Sequence, residues 1–124
     1  MLPDVSKYVV RDPRYLASDE AEVDIRVIRC ADESDAEVLA KLIDFSRRGM
    51  QFLTATQYDQ GESLYVHLRD GQSDFEVRLE GTVQWQRSAE DNAFSIGCQF
   101  HEEVDWATLG ELFLCGILNR ETAV

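Results

Sequence analysis

A chain of 124 residues that is 44% hydrophobic and 29% charged has the size and composition of one globular domain, able to bury a core without disulfides or metals. Its net charge of −12 and pI near 4.4 argue against broad contact with nucleic acid or anionic membranes, both of which need clustered Lys and Arg. No apolar run approaches the roughly 20 residues of a membrane helix, and Met1–Lys7 lacks the basic start and apolar stretch of a signal peptide, so a cytoplasmic protein without membrane insertion is expected.

Residues 1–20 hold both prolines, Pro3 and Pro13, and little periodicity, and read as an irregular, flexible arm. From Glu22 the pattern alternates with period two: Val23, Ile25 and Val27 point one way, Glu22, Asp24 and Arg26 the other, as in a half-buried strand. Ala31–Asp35 is a polar turn, and Val38–Ile43 a second strand that ends at Asp44-Phe45-Ser46-Arg47-Arg48-Gly49, where Gly49 would allow a sharp bend. Met50–Thr56 forms a third strand, and Leu64, Val66 and Leu68 mark the inner face of a fourth. Asp70-Gly71 is a hairpin signal. The fifth strand places Phe75, Val77, Leu79, Gly81, Val83 and Trp85 on one face, Ser88–Asn92 turns the chain, and Phe94, Ile96, Cys98 and Phe100 form the inner face of a sixth. The period then changes: Asp105 is a candidate N-cap, and Trp106, Leu109, Leu112, Phe113 and Ile117 make a helical stripe to about Arg120. The expected fold is mainly β, a six-stranded antiparallel β-barrel (residues 21–101) with a C-terminal α-helix and tail (102–124), one domain overall.

Catalytic and metal patterns are incomplete. Cys30, Cys98 and Cys115 are odd in number and lack metal-site spacing, so reduced thiols are expected. His101-Glu102-Glu103-Val104-Asp105 begins like a zinc-protease motif but carries Asp105 where the second His belongs, and Cys98 with His101 is half a zinc site without a second half. Neither a nucleophile elbow nor a phosphate-cradling Gly loop occurs, so no catalytic residue, cofactor or metal is assigned and the chain is read as a non-enzyme.

The basic residues are unevenly placed. Residues 1–14 carry +1 and residues 41–48 carry +2, leaving −15 on the remaining 102. Asp44–Gly49 therefore joins an acceptor, a hydroxyl, two cations and a glycine in one turn. On residue types alone this is either a self-capped loop with Arg47 and Arg48 balancing an acidic surface, or a local anion site.

Asp44, Ser46 and Gly49 match the Asp/Asn-x-Ser-x-x-Gly pattern of the PilZ family, and Gly81-Thr82-Val83-Gln84-Trp85 and Gly97-Cys98-Gln99-Phe100 resemble two further stretches of it, over roughly residues 11–101. The family's other motif is two arginines separated by three residues. Val10-Arg11-Asp12-Pro13-Arg14 offers Arg14 at the second place, 30 residues before Asp44, while Val10 occupies the first and Arg11 stands one place late.

The resemblance implies a receptor for the bacterial second messenger cyclic di-GMP, with Arg11, Arg14, Asp44, Ser46 and Gly49 as the core of the site and Arg47 and Arg48 as helpers. An arginine can fork onto guanine O6 and N7, pair with phosphate and stack on a base, and a carboxylate can accept from guanine N1 and N2. The arm would close over the ligand and an unidentified downstream protein would read the result, with homodimerisation left open. The other reading is a degenerate PilZ-like domain that acts as a protein-interaction module, as in type IV pilus or motility systems.

Overall fold

The computed structural model describes residues 13–18, 23–31 and 37–122. Its elements are β1 (Tyr15–Ala17), β2 (Val23–Arg29), β3 (Glu37–Phe45), β4 (Gly49–Thr54), β5 (Ser63–Asp70), β6 (Glu76–Ser88), β7 (Phe94–Phe100), α1 (Trp106–Leu114) and β8 (Leu118–Thr122). Antiparallel pairing runs β2-β5-β6-β7-β4-β3 and returns to β2, so six strands close the expected barrel. Ile25, Val27, Leu42, Phe45, Met50, Phe52, Leu64, Val66, Leu68, Val83 and Ile96 fill its interior. Closure lets each period-two strand bury its apolar face against the others.

The residues expected to form an irregular arm include a strand. β2 pairs with the first half of β3, Glu37–Ala40, and β1 takes over the same edge beyond it, with Tyr15 opposite Phe45 and Leu16 opposite Asp44. β8 lies on the other side of β1, with Ala17 opposite Leu118. Two ladder pairs are weak evidence of a strand in sequence, since three residues cannot display a period.

The helix also ends earlier than its apolar stripe suggests. Asp105 caps it as expected, its carboxylate accepting from the Thr108 amide at 2.7 Å. It stops at Leu114, where Gly116 takes φ +78°, its amide donating to the Phe113 carbonyl while the Ile117 amide donates to the Leu112 carbonyl. This is a Schellman stop with its usual apolar contact, since Leu112 and Ile117 are both fully buried. Ile117 continued the helical spacing but belongs to the turn into β8.

The Asp70-Gly71 signal marks a hairpin with a five-residue connection, because the Asp70 amide pairs with the Phe75 carbonyl. The Asp70 carboxylate accepts from the Ser73 hydroxyl at 2.6 Å and from the Gln72 amide at 3.3 Å, replacing the tight turn with a side-chain-braced loop.

Two β-bulges alter the alternation. In β3, Leu42 pairs with Phe52 but Asp44 with Gln51, so Ile43 is extra. In β6, Val83 pairs with Cys98 but Trp85 with Gly97, so Gln84 is extra. The second bulge corrects the sequence reading of Trp85: it leaves the inner face of Val83 and stands on the outer face, over Gly97. Gln86 takes the inner position instead, its amide oxygen accepting from the Tyr58 amide at 2.6 Å.

Cys98 lies in the core, and burial pushes its thiol up to about 12 from a usual value of 9.0. An unfolded chain would ionise this thiol near pH 9 while the folded chain would not, so its contribution to stability is full below pH 9 and is lost as pH rises toward 12. Urea midpoints measured at pH 8 and 10 should fall for the wild type, and Cys98→Ala should show a smaller fall over the same interval.

Candidate functional site

The bulge at Ile43 positions the first site residue. It lets Phe45 enter the core opposite Met50 while Asp44 joins the outer face beside Gln51. The β1 register then places Arg14, two residues before Leu16, on the same face as Asp44. The Arg14 guanidinium donates to Asp44 Oδ1 at 3.0 Å; the carboxylate side chain is 8% exposed and the arginine 48%. A nearly buried carboxylate thus holds one edge of a guanidinium whose remainder faces solvent.

The turn that follows is built around Ser46. Its amide donates to the Gly49 carbonyl at 2.8 Å, and its Oγ accepts from the amides of Arg48 at 3.3 Å and Gly49 at 3.2 Å. Ser46 therefore braces the loop, as an Asp-x-Ser turn can do by itself. Gly49 does not take a left-handed conformation; what it supplies is clearance. A Cβ there would lie 2.4 Å from the Cys98 carbonyl oxygen of β7. The bend is made by the serine, and the glycine lets two backbones approach.

Arg47 and Arg48 diverge. Arg47 Nε donates to the Val104 carbonyl at 2.9 Å, its NH2 faces Glu103 at 3.4 Å, and its guanidinium lies 4.0 Å from the Trp106 ring centroid. The Val104 amide donates back to the Arg47 carbonyl at 2.8 Å. Arg47 thus fastens the loop to the start of α1 rather than to Arg14. Arg48 is more exposed, pairs with Glu103 at 3.0 Å, and borders a cleft.

That cleft has a volume of about 240 Å³ and crosses the outer face of β4, β7 and β6. Arg14 and Arg48 stand on one side and Gln84 and Trp85 on the other. Its floor is Gly49 and Gly97 with Gln99, the two glycines letting neighbouring groups of the protein itself pack directly on the strands. Trp85 lies so close over Gly97 that a Cβ there would meet the indole at 2.1 Å, and the Arg87 guanidinium is 4.8 Å from the same ring. Asp44 is not part of the lining; it acts through Arg14. Arg11 lies outside the described residues, as does most of the expected arm.

Gln84, Trp85 and Gln99 are cleft residues that the sequence reading assigned no ligand role. The signal lay in Gly81–Trp85 and Gly97–Phe100, but the bulge that turns Trp85 outward beside Gln84 is not visible in the alternation. The half-motifs for zinc separate: Cys98 is buried, whereas His101 is exposed and within 2.8 Å of the Thr82 hydroxyl. Among the described residues no group of three His, Cys, Asp or Glu could hold a metal ion, and no helix is long and apolar enough to cross a membrane.

The geometry predicts that Gly49→Ala destabilises the fold, since the Cβ meets backbone that cannot rotate away. Overpacking of this kind costs about 1–3 kcal/mol, measurable as a lower urea midpoint at unchanged slope.

The family model described as PilZ domain matches residues 10–114. No curated protein matches the chain significantly. Among solved structures, MrkH of K. pneumonia in a complex with c-di-GMP is 19% identical with a TM-score of 0.63, covering 85% of this chain and 50% of its own. The inhibitor of motility MotI/DgrA of Bacillus subtilis is 15% identical with a TM-score of 0.59, covering 86% and 49%. The PilZ domain of YcgR from Escherichia coli with c-di-GMP is 15% identical with a TM-score of 0.58, covering 85% and 86%. At these identities the likeness is one of fold, and the chain spans about half the length of MotI and MrkH.

Proposed function

Since the chain belongs to the PilZ domain family, we propose that it is a non-enzymatic receptor domain for cyclic di-GMP and that the cleft beside Arg14 is its binding site. The observation that carries this reading is the convergence of Arg14, the Ser46 turn, Arg48 and Trp85 on one glycine-floored cleft. The complexes of MrkH and the YcgR PilZ domain with c-di-GMP support it.

Each residue has a distinct part. Arg14, oriented by Asp44, offers its free guanidinium edge to guanine O6 and N7 or to a phosphate. Asp44 restricts that guanidinium to one pose, so less freedom is lost on binding. Ser46 shapes the turn, Gly49 lets β7 approach, and Gly97 lets the Trp85 indole lie against the strands at the cleft. Arg48 adds a cation within a chain whose net charge of −12 otherwise repels a dianion. Arg11 would reach the ligand from the preceding segment, one residue out of the family's register. Arg47 contributes indirectly, by tying the loop to α1. An unidentified downstream protein in the cytoplasm would read the occupied state.

Calorimetric titration tests the reading. Cyclic di-GMP should bind, and cyclic di-AMP, which lacks the O6 acceptor and the N2 donor, should bind far more weakly. Arg14→Ala should lower affinity about ten- to a hundredfold, the range for a charged hydrogen bond of roughly 1.5–3 kcal/mol, and Arg11→Ala should lower it less. Equal affinity for both dinucleotides removes the guanine roles. Absence of binding at millimolar nucleotide transfers the function to the protein-interaction reading.

A further inference from the structure

Arg14 reaches Asp44 only because of the register of a three-residue strand. In a strand, a shift of one residue turns every side chain to the other face. Slipped by one, β1 would carry Arg14 away from Asp44 and the cleft. The two pairs with β3, Tyr15 with Phe45 and Leu16 with Asp44, are a small hold on so short a segment.

The remaining holds come from the C-terminal end of the chain. β8 flanks β1 on its outer side, and the Ser18 amide donates to the Ile117 carbonyl at 2.8 Å. The Tyr15 ring meets Phe113 of α1 edge to face, at 4.7 Å between centroids and 83° between planes. Tyr15 directly follows Arg14, so fixing its ring against α1 fixes which way Arg14 points. Ile117 and Leu118 are buried, which anchors the start of β8, while Tyr15 and Phe113 are only partly covered. Their contact is thus an adjustable element on a firm base. The loop that carries Arg48, on the same side of the cleft as Arg14, is tied to the same helix, since Arg47 holds its first turn through Val104 and Trp106.

We infer that Phe113 is a positioning residue for the nucleotide site: through Tyr15 it sets the register of β1, and so the placement of Arg14 against Asp44. The C-terminal α1–β8 unit then acts on the binding apparatus through β1. This inference rests on the proposed cyclic di-GMP site for its binding consequence, but not for its structural one.

The test combines Phe113→Ala, Phe113→Tyr, Arg14→Ala and the Phe113→Ala/Arg14→Ala double variant in the full chain. Phe113→Ala should weaken cyclic di-GMP about two- to tenfold, the range of an aromatic pair, and Phe113→Tyr should restore it. The double variant should bind no more weakly than Arg14→Ala alone, because without Arg14 its positioning has no effect. Unchanged affinity in Phe113→Ala, or losses that multiply in the double variant, overturns the inference. Hydrogen exchange in the free protein gives a readout independent of the nucleotide. The Ser18 amide should exchange faster in Phe113→Ala while that of Val66 in the barrel stays protected. If the wild type fails to bind cyclic di-GMP, the functional reading fails, yet exchange still decides this one: an unchanged Ser18 amide overturns it, and a faster one with Val66 unaffected supports it.

Discussion

A closed ring of six strands has one inside, and strict alternation would send every second side chain into it. Phe45 and Asp44 are neighbours, and the barrel needs the phenyl ring inside and the carboxylate out. From Leu42, which faces inward, an unbroken period of two would instead put Asp44 in the core and Phe45 on the surface. A carboxylate in an apolar core without a partner would be strongly destabilising. The extra residue Ile43 resolves the conflict by shifting the period at that point. Asp44 then meets Arg14 on the outer face, Phe45 packs with Phe100, and the Ser46 turn begins where the cleft needs it.

The bulge at Gln84 does the corresponding work across the cleft. It turns Trp85 out over Gly97 and leaves Val83 on Cys98 in the core. The glycines between the bulges are explained by the same arrangement. Gly49 and Gly97 lie where β4 and β7 cross the floor, and each is pressed by a neighbour, the Cys98 carbonyl or the Trp85 indole. These close approaches seat the Trp85 indole on the strands as part of the cleft lining and bring β7 tight against β4.

The barrel was legible in sequence because its strands are long enough to show their period: β5 keeps an apolar face from Leu64 to Leu68 and β7 from Phe94 to Phe100, and the Asp105 cap marks the helix start. What escaped was local and depended on partners. Tyr15–Ala17 is a strand because β3 and β8 offer edges to it, not because three residues prefer one. Ile117 fits a helical stripe, and only the left-handed Gly116 after Leu114 diverts it. Asp44, Ser46 and Gly49 stood out as a pattern, but their parts were mixed: the carboxylate orients an arginine, the serine makes the bend, and the glycine makes room.

The separation of Arg47 from Arg48 shows why adjacent residues of one type need not share a role. Consecutive positions in an extended turn point apart. One guanidinium therefore turns to Val104 and Trp106, where a carbonyl and an aromatic face suit its planar fork, and the other stays at the rim with Glu103. The pairing ties the loop that borders the cleft to the first turn of α1, while Tyr15 ties the segment carrying Arg14 to its last turn through Phe113. The two segments that carry the cleft's arginines are thus fastened to opposite ends of one nine-residue helix.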